Sequence, residues 1–194
     1  MNGLQFRPQT PIYEDESALI PRVVSRSDFD IIFNKIYPVI DNYRWIISGT
    51  PMLQFPETWF TEAWYDKEHD IDRSPQLDEH ESYIINTKND FMLVKEGYIS
   101  RYFKYIIDNW IYIYALPRSF IDLNGFIKSY LEFTTEKDRN HWLAQEVDIC
   151  ISNIDGIFWE FYSKDKDLLT ILSNNTKGNA DFKITNCSLL NKTY

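Results

Sequence analysis

The first clear periodicity begins at Ser27. Ser27 can cap a helix, and Asp28 and Asp30 suit its positive first turn. Phe29, Ile32, Phe33, Ile36, Tyr37 and Ile40 then recur at spacings of three and four, which makes one apolar stripe. Pro38 falls inside that stripe and must kink or shorten the helix, because it lacks a backbone donor. Tyr43 to Ser48 reads as a short strand closed by Gly49 and Pro51. Tyr83–Asn86 and Phe91–Lys95 flank a polar turn, which is a hairpin pattern. Phe103–Ile107 and Trp110–Ala115 favour a second hairpin. Ile99, Tyr102, Phe103 and Ile106 also fit a helix feeding a strand from Trp110, so both readings stay open.

Further along, Ser119 can cap a helix through Phe133, with Phe120, Leu123, Ile127, Tyr130 and Leu131 as the buried face. Thr135 to Glu146 is charged and reads as a short helix carrying Trp142 and Leu143. Val147, Ile149 and Ile151 alternate with polar partners up to a turn at Asn153–Gly156, where Gly156 supplies a positive φ. Ile157 to Tyr162 returns as an aromatic strand. Asp165 or Ser163 then caps a helix holding Leu168, Leu169, Ile171 and Leu172, and Phe182–Thr185 reads as an edge strand.

Residues 1–26, with Pro8, Pro11 and Pro21, read as an extended N-terminal arm. Residues 27–194 then form a single α+β domain: a mainly antiparallel sheet with helices packed on one face. The chain's 194 residues suffice for a core without staples. Its thirteen Tyr, thirteen Phe and six Trp favour sheets and large contact surfaces. The net charge of −9 argues against nucleic-acid phosphate and anionic membrane surfaces as partners. There is no signal-peptide pattern and no run of membrane-spanning length, so a cytoplasmic protein is expected. Cys150 and Cys187 are too few for a disulfide framework and read as reduced structural thiols.

Charge is the least even property of the chain. Between Glu57 and Glu81 nine acids meet two bases, a local net of −7 out of −9. Aromatic residues Trp59, Phe60, Trp64 and Tyr65 interleave with it. Asp66 to Glu81 is nearly devoid of apolar residues and contains Pro75, so an exposed, unusually long loop is expected. Like charges repel, so the fold gains nothing from such clustering. A surface of this kind suits a basic protein partner, with acids steering approach and aromatics anchoring it. The expected contact residues are Glu62, Asp66, Glu68, Asp70, Asp72, Asp78, Glu79 and Glu81, with Trp64 and Tyr65 as anchors. The simpler reading is a solvated loop, with Trp59, Phe60 and Trp64 buried in the core.

Reaction chemistry is weakly signalled. His69, Asp70, Asp72, Asp78, His80 and Glu81 could ligate a metal, but a loop lacks the rigid support a site needs, so no metal and no cofactor are expected. A Cys150–His141 nucleophile can be drawn, yet nothing in the sequence activates the thiol. Asp155 and Glu160 could form a carboxylate pair; Asp155 has a sufficient role in the turn, and Glu160 is expected to be exposed on its strand. No phosphate loop, dinucleotide fingerprint or nucleophile elbow occurs, and a non-enzyme is expected.

Three stretches carry a resemblance: Tyr43-Arg44-Trp45-Ile46-Ile47-Ser48-Gly49, Trp110 to Pro117, and Ile154 to Asp165. With the acidic, aromatic-rich composition, the chain resembles immunity proteins of bacterial polymorphic-toxin and contact-dependent inhibition systems. That resemblance implies a protein that binds a cognate toxin, often a cationic nuclease, and occludes its active site. A homo-oligomeric interaction module, such as a homodimer, and a small enzyme with an unfamiliar site stay open as alternatives.

Overall fold

The computed structural model describes residues 1–9, 11–15, 18–21, 31–48, 84–88, 91–94, 99, 111–117, 122–154 and 158–191. Its framework is an eight-stranded sheet. The strands are β1 (Asn2–Pro8), β4 (Arg44–Ser48), β5 (Ile84–Lys88), β6 (Phe91–Val94), β7 (Ile111–Leu116), β8 (Ile149–Ile154), β9 (Phe158–Ser163) and β10 (Phe182–Ser188). The remaining two, β2 (Pro11–Asp15) and β3 (Ala18–Pro21), pair only with each other. The spatial order is β10-β1-β9-β8-β7-β4-β6-β5, and every pairing is antiparallel. The helices whose bounds fall within the described residues are α1 (Tyr37–Ile40), α2 (Leu123–Glu132), α3 (Glu136–Glu146) and α4 (Lys166–Thr176). This is an α+β fold. None of the described helices is long and apolar enough to cross a membrane.

Strand alternation sorts the core into two layers. Leu4, Phe6, Trp45, Ile47, Ile113, Ala115, Ile149, Ile151, Trp159 and Phe161 point to one face. There they meet Ile32, Phe33, Ile36 and Ile40 and the α4 residues Leu168 and Leu172. Phe33 is the hub of this layer, with ring centroids 6.1 Å from Phe6, 6.2 Å from Trp159 and 5.6 Å from Phe161. Burying one such ring contributes about 1.5–3 kcal/mol. Ile46, Tyr114, Leu116, Cys150 and Tyr162 point the other way, against Phe126, Ile127 and Tyr130 of α2 and Leu143 of α3. Helices therefore cover both faces, not the one face expected. Both sides of the central strands are dry in consequence: all six residues of β9 are buried, and so are Cys150 and Ser152 between the apolar positions of β8.

The apolar stripe at 32–40 is real, and Pro38 acts on it as expected. Helical residues 31–33 give way to a turn at 34–36, and α1 restarts with Pro38 in its first turn. The break strands carbonyls, and the Asn175 side chain of α4 donates to two of them, Ile31 O at 3.0 Å and Ile32 O at 3.1 Å. Thr135 caps α3 by accepting from the Asp138 amide at 3.1 Å. Asp165 caps α4 through the Asp167 amide at 2.8 Å.

Other expectations shift. The stretch read as an N-terminal arm is extended, but β1 is an interior strand held by β10 on one side and β9 on the other. Both edges of β7 are taken, by β4 and β8, so β7 is not the return strand of a hairpin from 103–107. Ile99 is helical and buried; 100–110 lie outside the described residues. On α2 the buried face is Phe126, Ile127 and Tyr130, while Leu131 is 58% exposed. Phe126 wins because it lies under Trp142 of α3 (5.1 Å between centroids) and beside Tyr114 (5.9 Å). Ser119, Phe120 and Gly156 lie outside the described residues.

Candidate functional site

One register on the α2–α3 side of the sheet is polar across six adjacent strands. Thr185 pairs with Gln5, Gln5 with Glu160, Glu160 with Ser152, Ser152 with Tyr112, and Tyr112 with Ser48. Alternation puts all of these side chains on the same face as Tyr114, Cys150 and Tyr162. A polar row in the middle of a covered sheet is costly unless its groups satisfy one another.

Glu160 is the hub of the row. It is 3% exposed, where the sequence led us to expect an exposed strand carboxylate. The reversal follows from the fold: β9 lies between β1 and β8, and all six of its residues are buried. Gln5 Nε2 donates to Glu160 Oε1 at 3.0 Å, and Ser152 Oγ donates to Oε2 at 3.1 Å. The Tyr162 hydroxyl hydrogen-bonds to the same carboxylate. Gln5 is itself oriented, because Arg7 Nε donates to its Oε1 at 2.7 Å. The Gln5 amide thus links a guanidinium to a carboxylate, and its flip state is fixed by both. Arg7 in turn lies over the Phe158 ring, 4.2 Å from the centroid.

Tyr162 reaches this position because of Gly3. The two are cross-strand partners, and a Cβ on Gly3 would sit 2.5 Å from Tyr162 Cδ1 and 2.6 Å from the Phe161 carbonyl oxygen. Only glycine leaves the ring room to lie across β1. Burial, followed by the Glu160 charge, pushes the Tyr162 phenol well above its ordinary range. Burial also raises Tyr114, with Tyr130 adding to it, and raises Tyr112, with Glu136 the next cause. These phenols serve as neutral hydroxyls and not as nucleophiles or bases at neutral pH.

A cleft of about 480 Å³ opens beside the hub. Gln5, Glu160 and Tyr162 form its inner wall. Asn186, Cys187 and Ser188 of β10, with Asn191 beyond it, form the outer wall. Chemically this is an acceptor-rich site with a buried carboxylate at its base. It can hold a group that donates several hydrogen bonds.

The sequence-predicted sites fare differently. Glu62, Trp64, Tyr65, Asp66, Glu68, Asp70, Asp72, Asp78, Glu79 and Glu81 all lie outside the described residues, as do His69 and His80. So does Asp155, so only the Glu160 half of that carboxylate pair is placed. Cys150 is buried among Tyr114 and Tyr162, while His141 is exposed, its Nδ1 2.8 Å from Lys137 O on its own helix. The structure does not make them a nucleophile pair. Among the described residues no three His, Cys, Asp or Glu converge as metal ligands. Sequence reasoning passed over Gln5 and Ser152. One signal was available: Glu160 is a lone acid inside Phe158-Trp159-Glu160-Phe161-Tyr162, and a charge in such a run must be paired or functional.

Comparison of the chain with protein-family models, with curated proteins and with solved structures found no match.

Proposed function

We propose that this chain is a binding protein that captures a basic protein partner through residues 57–81, in the manner of an immunity protein neutralising a cytoplasmic toxin. The observation that carries the reading is the concentration of charge: a net of −7 in 25 residues of a chain whose total is −9. That segment is attached to the sheet at both ends. It lies within 49–83, which joins the end of β4 to the start of β5. Ser48 aligns through Phe91 with Lys88, whereas Ile84 aligns through Val94 with Trp45, so the two attachment points are at opposite ends of the sheet. A segment tethered at both ends loses less entropy on docking than a hanging tail. Acids steer a cationic partner and raise its association rate, while Trp64 and Tyr65 slow its release.

The test is a pull-down with the wild-type chain and with an Asp70→Lys, Asp72→Lys variant, followed by a neutralisation assay on whatever basic protein is retained. The reading expects one partner, an association rate that falls steeply with salt, and a slower rate in the variant. Equal binding by the variant at low salt would remove the assigned surface. A retained partner whose activity survives saturation by this chain would remove the inhibitory role.

A further inference from the structure

Independently of that reading, we infer that Arg7 and Lys183 form a binding site for a phosphate monoester, on the face of the sheet that carries Gln5 and Glu160. Three observations carry it. The first is register. Arg7 of β1 and Lys183 of β10 are direct cross-strand partners, so both side chains leave the same face from adjacent positions. Like charges set opposite each other destabilise a sheet unless an anion stands between them. Both residues are exposed, and among the described residues no carboxylate forms an ion pair with either. The second is preorganisation. Arg7 Nε donates to Gln5 Oε1 at 2.7 Å, and Gln5 Nε2 donates to Glu160 Oε1 at 3.0 Å. The guanidinium also lies over the Phe158 ring, 4.2 Å from its centroid. An arginine anchored through Nε and backed by a ring has little freedom left to lose, and its two Nη groups supply donors for two oxygens of one anion. Lys183 complements it: a flexible stem lets the ammonium swing onto a third oxygen.

The third observation is charge. Two cations match a phosphate monoester, which carries about −1.5 to −2 at pH 7, better than they match a single carboxylate. The chain total of −9 opposes any anion, but −7 of it belongs to residues 57–81. The rest of the chain carries −2, so two adjacent cations set the local sign.

NMR titration of the isotope-labelled full chain tests the proposal. The probes are inorganic phosphate, O-phosphoserine, and the capped pentapeptides Ala-Ala-pSer-Ala-Ala and Ala-Ala-Glu-Ala-Ala. The phosphate compounds should shift the Arg7 Nε–H signal and the Lys183 amide saturably, and the glutamate peptide should bind about fivefold more weakly or less. The tighter of phosphoserine and its peptide tells whether the ligand is a free metabolite or a displayed side chain. Arg7→Lys keeps the charge but removes the fork, and should weaken phosphoserine binding by about tenfold. Lys183→Gln should weaken it by about threefold. Should Arg7→Lys not fold, as read by circular dichroism, Lys183→Gln decides, since Lys183 stands outside the Gln5–Glu160 bonds. Absence of saturable shifts, shifts centred away from β1 and β10, or binding of inorganic phosphate alone, an adventitious ion only, overturns the site. So does equal binding of the glutamate peptide, or undiminished binding in a folded Arg7→Lys or Lys183→Gln protein. None of these outcomes touches residues 57–81.

Discussion

Replacing Glu160 with alanine should be among the most damaging single changes in the described part of the molecule. The carboxylate is 3% exposed and accepts from Gln5 Nε2 at 3.0 Å and Ser152 Oγ at 3.1 Å, with the Tyr162 hydroxyl as a third partner. Alanine removes the acceptor and leaves those donors behind. Each stranded buried donor costs about 1–3 kcal/mol, and breaking a buried charged network typically costs about 3–5 kcal/mol in all. Partial recovery by water from the adjacent cleft keeps the sum below three full penalties, so we expect about 3–5 kcal/mol. Against a total stability of about 5–15 kcal/mol, that is a large fraction. With a urea slope of about 2 kcal/mol/M, the unfolding midpoint should fall by roughly 1.5–2.5 M. The assay is urea unfolding followed together by circular dichroism and by tryptophan fluorescence, with coincident curves establishing two-state behaviour. Trp159, next to Glu160 and 1% exposed, is a well-placed probe. Glu160→Gln keeps one acceptor oxygen and should lose only about 1–2 kcal/mol. A loss below about 1 kcal/mol for the alanine variant, or a glutamine variant as damaged as the alanine one, would refute the view that this network is satisfied through the carboxylate.

Two further outcomes follow from the same region. Gly3→Ala should lower the thermal midpoint by the equivalent of about 1–3 kcal/mol, because the clash at 2.6 Å is with the Phe161 backbone oxygen and cannot be relieved by a rotamer change; an unchanged midpoint would show that β1 can shift. Stability should also fall at alkaline pH. Burial holds the Tyr112, Tyr114 and Tyr162 phenols above the ordinary phenol value of about 10, so their contribution is complete below about pH 10 and declines above it as the unfolded chain ionises first. The slope is about 1.4 kcal/mol per pH unit for each phenol; urea midpoints that stay flat between about pH 10 and 11 would contradict the burial of these rings.

Local chemistry made much of this fold legible in the sequence. The stripe Ile32, Phe33, Ile36 and Ile40 is buried as its spacing requires, and Pro38 breaks the helix where its missing donor must. Asp165 caps α4, Pro117 follows the last residue of β7, and the β5–β6 and β8–β9 hairpins pair as their alternation suggests. All of these depend on neighbours within a turn or two, where sequence distance and spatial distance agree. The mismatches share another cause. Leu131 and Phe126 both fit the α2 period, and what selected Phe126 was the position of Trp142 and Tyr114, residues on other elements.

The acidic segment is a property that the sequence determined by itself, because net charge is additive along the chain and needs no folding to exist. The Glu160 site is the opposite case. Gln5, Ser152 and Glu160 are separated by up to 155 positions, and only the register of β1, β9 and β8 sets them side by side. Register is decided by which face of each strand is buried; β9 is buried on both, so its sequence carries no alternation to fix how β1 pairs with it. Burial then gave an ordinary glutamate a low-dielectric surrounding and three fixed partners, a property of the assembled sheet and of no single strand.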